Sequence, residues 1–169
     1  MKRRLQAAVL IASTLMTGCE SSAKGTTMRL FDFISAVAAL PSLQPTDVET
    51  LLGQPFGKID ENAYFTRYRL ERVRIDDRSE ARKVELRAPK PGGGASSGGL
   101  LNMEIGGQCV DRAAVAARYP SMRLIDSPRG RREGEEFVYE LRDSRRAVRF
   151  GFSPAEPLCL TGLSFEFAP

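Results

Sequence analysis

The chain has 169 residues, 42% of them hydrophobic and 27% charged, a balance that excludes a disordered polymer and fits one domain or two small repeats. Its 25 Lys and Arg outnumber 21 Asp and Glu, for a formal net charge of +4. It contains no histidine, which excludes Ser–His and Cys–His nucleophile systems and removes the commonest ligand for zinc, copper and non-haem iron.

Much of the excess positive charge is N-terminal. Lys2, Arg3 and Arg4 precede an apolar run from Leu5 to Met16, followed by Thr17, Gly18 and Cys19. A basic segment, a short apolar segment and a small-residue cleavage point form a secretory signal over residues 1–18, too short for a permanent membrane span. Leu15-Met16-Thr17-Gly18-Cys19 resembles the lipobox of bacterial lipoproteins, with Met16 where leucine is usual. The resemblance implies cleavage before Cys19 and acylation of its thiol, which would otherwise be an exposed reactive group. Several acyl chains, at about 0.8 kcal/mol per buried methylene, make a stable anchor. Glu20, in place of the aspartate that retains lipoproteins at the inner membrane, implies the periplasmic face of the outer membrane. Removing residues 1–18 takes away three basic residues and no acidic one, leaving a net charge of +1. Net charge then gives no basis for attraction to nucleic acid.

Residues 19–28 are small and polar and read as a lipidated tether. Leu30, Phe31, Ile34, Val37 and Leu40 recur at helical spacing, predicting a helix over 29–39 that ends before Pro41. Thr46-Asp47-Val48-Glu49 matches a capping box, with Thr46 as cap, Glu49 reaching back and Gly53 as the stop. After Pro55 the period changes to two. Tyr64, Thr66, Tyr68 and Leu70 alternate with Phe65, Arg67, Arg69 and Glu71, the pattern of a half-buried strand. Asp76-Asp77-Arg78 reads as a turn, Val84, Leu86 and Ala88 as the next strand face, and Pro89–Gly99 as a glycine-rich loop. Leu101, Met103 and Ile105 supply a further strand.

The second half follows a similar order. Asp111 caps a short helix through Arg118, and a charged loop runs from Ser127 to Glu135. In that segment Glu133, Glu135 and Glu136 balance Arg129, Arg131 and Arg132 and read as solvated. Strand faces follow at Phe137, Tyr139 and Leu141, then Val148, Phe150 and Phe152, and finally Cys159, Thr161, Leu163, Phe165 and Phe167. In an oxidising compartment Cys109 and Cys159 are expected to pair across about 50 residues, worth roughly 4 kcal/mol; two separate buried thiols are the alternative. The expected fold is α+β, short helices on an antiparallel sheet, either as one domain or as tandem modules at 29–106 and 107–169.

Thr46-Asp47-Val48-Glu49-Thr50-Leu51-Leu52-Gly53-Gln54-Pro55 resembles the helix-and-turn signature of SmpA/OmlA lipoproteins and of β-lactamase-inhibitor-like (BLIP-like) domains. In those families a helix pair precedes an antiparallel sheet, often in tandem, and the module presents a surface to another protein. The BLIP-like resemblance implies an inhibitor or immunity protein against an envelope-acting toxin or hydrolase. The SmpA/OmlA resemblance implies an outer-membrane assembly adaptor. The residue pattern assigns no catalytic group, metal or cofactor: Asp76 and Asp77 are adjacent turn residues, Gly92-Gly93-Gly94 lacks a following Lys-Ser/Thr, and no serine lies in Gly-x-Ser-x-Gly. A carboxylate-based cell-envelope hydrolase is the remaining enzymatic alternative. If Tyr64, Tyr68 and Leu70 face the helices, then Phe65, Arg67 and Arg69 lie on the open sheet face, with Val138, Glu140 and Arg142 in the corresponding positions of the second half. These six are the candidate partner-binding residues, because arginine and aromatic side chains often dominate protein interfaces.

Overall fold

A computed structural model describes residues 28–91, 98–130 and 134–168. The signal segment, Cys19 and its tether, and most of the glycine-rich loop lie outside the described residues.

The predicted first helix forms as α1, Leu30–Ala39, and buries Leu30, Phe33, Ile34 and Val37 along one stripe. Helix α2, Pro45–Leu52, departs from the predicted capping box. Pro45 occupies the first turn and Gln44 is the N-cap with no side-chain bond, so Thr46 is already helical. Glu49 reaches forward, its Oε1 accepting the Phe56 N–H at 2.8 Å. Gly53 ends the helix in left-handed backbone (φ 68°).

Four strands follow as a meander: β1 Gly57–Glu61, β2 Phe65–Arg74, β3 Ser79–Pro89 and β4 Gly99–Gly107. Helix α3, Arg112–Arg118, then starts at Asp111, whose Oδ1 accepts the Ala114 N–H at 2.7 Å as predicted. A second meander closes the chain: β5 Arg123–Asp126, β6 Phe137–Arg142, β7 Arg146–Phe152 and β8 Leu160–Phe167.

All eight strands make one antiparallel sheet in the order β1-β2-β3-β4-β8-β7-β6-β5. The last strand of each meander meets the other at the centre, where Leu101 pairs with Phe165 and Met103 with Leu163. The free edges are therefore the first strands, β1 and β5. Neither was expected from the sequence. Every residue of both is exposed, so no alternation of apolar and polar side chains marks them.

One face of the sheet carries the core. Side chains of α1, α2 and Val115 of α3 pack there against Val84, Leu86, Leu101, Phe150, Phe165 and their neighbours. The α+β expectation of short helices on an antiparallel sheet holds. Cys109 and Cys159 form the expected disulfide, 50 residues apart, joining the exit of β4 to the entry of β8. Beside it Arg112 N–H donates to the Leu158 carbonyl and Leu160 N–H to that of Val110, so the bridge lies within a short paired segment.

Two further local expectations fail. Tyr64 does not face the helices: it is 58% exposed, in a turn where Asn62 Oδ1 accepts the N–H groups of both Tyr64 and Phe65. In the last strand, Gly151 pairs with Gly162 but Phe152 pairs with Leu160, leaving Thr161 as an extra residue. This bulge breaks the period of two, so Leu160 and Leu163 face the core while Thr161 turns to the opposite face.

Candidate binding face

Successive strand side chains point to opposite faces, so burying Tyr68, Leu70, Tyr139 and Leu141 against the core places their neighbours on the helix-free face. Phe65, Arg67 and Arg69 stand there on β2, and Val138, Glu140 and Arg142 on β6. Each trio is on the strand next to a free edge. Five strand spacings separate them, about 24 Å at ~4.8 Å per strand. The fold thus holds the two predicted clusters apart, on opposite flanks of one face.

The predicted arginines are already committed. Arg67 forms a two-pronged ion pair with Asp60 of β1. Arg69 Nη2 lies 2.7 Å from Glu85 Oε1. Arg142 grips Glu140 through Nε and Nη2 at 2.8 and 2.9 Å. Phe65 lies beneath the Arg87 guanidinium, 5.2 Å from its ring centroid. Arg149 crosses from Glu140 (2.9 Å) to Glu166 (2.6 Å) and ties β6, β7 and β8 together.

Carboxyl pKa values follow these partners. The Arg67 hydrogen bond holds Asp60 below the usual carboxylate range. The Arg69 hydrogen bond lowers Glu85, against the opposing effect of its burial and with help from Lys83. The Arg142 hydrogen bond likewise lowers Glu140, and its Arg149 bond adds to the effect. Glu61, between Lys90 and Lys58, falls to about 2. Exposed pairs of this kind are each worth little in stability. Their consequence is a surface of alternating, internally matched charge.

Between the flanks the face dips into a trough of about 300 Å³. Its floor is Asn102, Gly151, Gly162 and Ser164, and its walls include Lys83, Glu85, Arg149, Glu136 and Val138. The depth comes from the Gly151–Gly162 pair across β7 and β8, where no Cβ rises from either strand. Glu136 lies in this space. An ideal Cβ on Gly151 would overlap its Oε2 atom. The Thr161 hydroxyl lies 2.6 Å from Glu136 Oε1 and 3.2 Å from the Gly151 carbonyl.

Glu136 is the functional candidate that sequence reasoning missed, having been grouped with the solvated loop charges. Glu135 does behave as a loop residue, its Oε2 accepting the Gly130 N–H at 2.8 Å. Glu136 instead folds onto the sheet. The available signal was glycine within two strand patterns, which marks a close approach. The bulge completes the site by turning Thr161 toward the carboxylate.

Among the described residues no group of three or more His, Cys, Asp or Glu side chains is arranged to hold a metal. Asp76 and Asp77 do occupy the predicted turn, where Asp76 is engaged with backbone N–H groups. No helix among the described residues is long and apolar enough to cross a membrane. Comparison of the chain with protein-family models, curated proteins and solved structures finds no match.

Proposed function

We propose that this chain is a lipid-anchored protein of the bacterial envelope that acts by binding another protein through the helix-free sheet face. Its role is that of an inhibitor or immunity protein against an envelope-acting toxin or hydrolase. The observation that carries this reading is the trough between two charge-matched flanks on a sheet whose other face is filled by core. Occlusion of another protein needs a pre-formed surface and no reacting group of its own. The central disulfide and the charge ladder across β6, β7 and β8 favour such a pre-formed surface.

The two meanders read as the tandem modules that a BLIP-like resemblance implies, residues 29–106 supplying β1–β4 and 107–169 supplying β5–β8. Only the first is preceded by a helix pair. The lipobox-like segment ending at Cys19 supports the anchor and the envelope address.

The test is photocrosslinking in living cells from positions 67 and 142 of the full chain, with position 36 on α1 as the control. A single envelope or incoming protein captured from both flanks, and not from the helix side, supports the reading; its identity separates an inhibitor from an assembly adaptor. Absence of capture from either flank overturns it. Hydrolysis of an envelope substrate by the purified protein, lost on replacing one carboxylate, overturns the non-catalytic role.

A further inference from the structure

We infer that the trough receives a basic side chain of the partner, a lysine or an arginine, with Glu136 as its counter-ion. This inference rests on the helix-free face being the docking face and adds what the partner must bring to it.

The charges around the trough close on themselves except at one point. Lys83 Nζ lies between Glu85 (3.3 Å) and Glu104 (3.8 Å). Arg149 divides its guanidinium between Glu140 and Glu166. Both lining cations therefore have carboxylate partners. Glu136 has no cation among the described residues, and its one hydrogen bond comes from the Thr161 hydroxyl to Oε1. Oε2 sits over Gly151 within the space that the missing Cβ atoms leave, on the wall of the trough.

An acidic group entering here would meet Glu136 with no uncommitted cation among the described lining residues to offset it. A neutral apolar group would cover the carboxylate without pairing it, which is costly. A lysine or arginine satisfies the site at both ends. Its head supplies the donors that Oε2 lacks, and its methylene stem lies along Val138 beside the Glu136 carboxylate. A metal ion is the poorer occupant, since the other lining carboxylates are bound to Lys83 and Arg69.

The experiment uses the 15N-labelled full chain in neutral detergent, titrated with the capped peptides Ac-Gly-Arg-Gly-NH2, Ac-Gly-Lys-Gly-NH2 and Ac-Gly-Glu-Gly-NH2. The expected result is saturable movement of the Gly151, Thr161 and Gly162 amide signals with the basic peptides and none with the acidic one. Glu136→Gln and Glu136→Ala should each weaken basic-peptide binding about tenfold or more, the loss expected for one desolvated charge pair. Glu71→Gln, on the same face outside the trough, should leave it unchanged. Lack of saturation with both basic peptides overturns the inference, as does equal binding by the Glu136 variants with their remaining spectrum unperturbed. Capture from positions 67 and 142 combined with failure of the peptides removes this inference alone. Peptide saturation without capture removes the proposed function instead.

Discussion

Asp76 Oδ2, in the turn between β2 and β3, accepts the backbone N–H of Leu30 at 3.0 Å across 46 positions of sequence. Leu30 opens α1, whose own N-cap residue, Arg29, makes no side-chain cap bond. The cap is thus supplied by the sheet. At the other end of α1, Arg146 of β7 donates to the Ala38 carbonyl, so this helix is tied to both meanders. The other carboxylate oxygen of Asp76 takes the N–H groups of Arg78 and Ser79, each at 2.7 Å.

Replacing Asp76 with alanine should therefore cost about 1–2 kcal/mol, as for loss of a helix cap. Burial of the Asp76 carboxyl opposes its ionisation, but the N–H groups of Arg78, Leu30 and Ser79 outweigh that and lower its pKa below 3.8. A lowered folded-state pKa gives stability that is complete above the unfolded value and lost as pH falls through the folded one. Urea unfolding of the wild type and Asp76→Ala should thus differ most near neutral pH and converge below about pH 4. A gap that widens on acidification would contradict this assignment.

The disulfide closes a segment containing α3 and the strands β5, β6 and β7. Replacing both Cys109 and Cys159 with serine should destabilise the oxidised protein by about 4 kcal/mol, the loop-closure value for some 50 residues. Urea denaturation with and without reductant measures it: the reductant should lower wild-type stability by a similar amount and leave the double variant unchanged. A loss under 1 kcal/mol would mean that the surrounding backbone pairing holds the segment by itself.

What could be read from the sequence is what neighbours along the chain decide. The α1 stripe, the Asp111 cap and the core face of β3 each follow from a local period or a local hydrogen bond. Pairing of Cys109 with Cys159 followed from compartment and cysteine number. The edge strands β1 and β5 had no local signature, because edge strands without a buried face leave no alternation. The candidate binding face was half legible. Strand parity placed Phe65, Arg67, Arg69, Val138, Glu140 and Arg142 on it, but parity says nothing of partners. That Arg67 would spend its charge on Asp60, or that Glu136 would lie over two glycines, depends on which strands become neighbours.

Arg72 lies within β2 with φ 36°, a left-handed conformation unfavourable for a residue with a Cβ. Around it Glu71 pairs with Lys83 and Val73 with Ala81, and β3 shifts register against β4 between Ala81 and Lys83. Removing the Cβ relieves about 1–2 kcal/mol, of which greater chain freedom in the unfolded state takes back about 0.5–1. Arg72→Gly should therefore be neutral or stabilising by up to about 1.5 kcal/mol, whereas Arg72→Val should lose more than about 1 kcal/mol. Opposite signs in urea unfolding check the assignment; destabilisation by both would show that the arginine side chain outweighs the backbone strain.

Two glycines separate the proposed binding face from the scaffold. At Gly151 an added Cβ meets the end of the Glu136 side chain, which is free to swing toward solvent. At Gly107 it meets the backbone carbonyl of Arg78, and the residue has φ 103°. Gly151→Ala should therefore change stability by less than about 1 kcal/mol, while Gly107→Ala should cost about 2 kcal/mol or more through backbone strain. Binding should follow the reverse order. Filling the trough floor at Gly151 displaces Glu136 and should abolish arginine-peptide binding in a fully folded protein. Gly107→Ala, read below its own unfolding temperature, should retain that binding, because its carbonyl clash lies beside the β2–β3 turn rather than in the trough. Equal peptide binding by Gly151→Ala and the wild type would detach the trough from recognition.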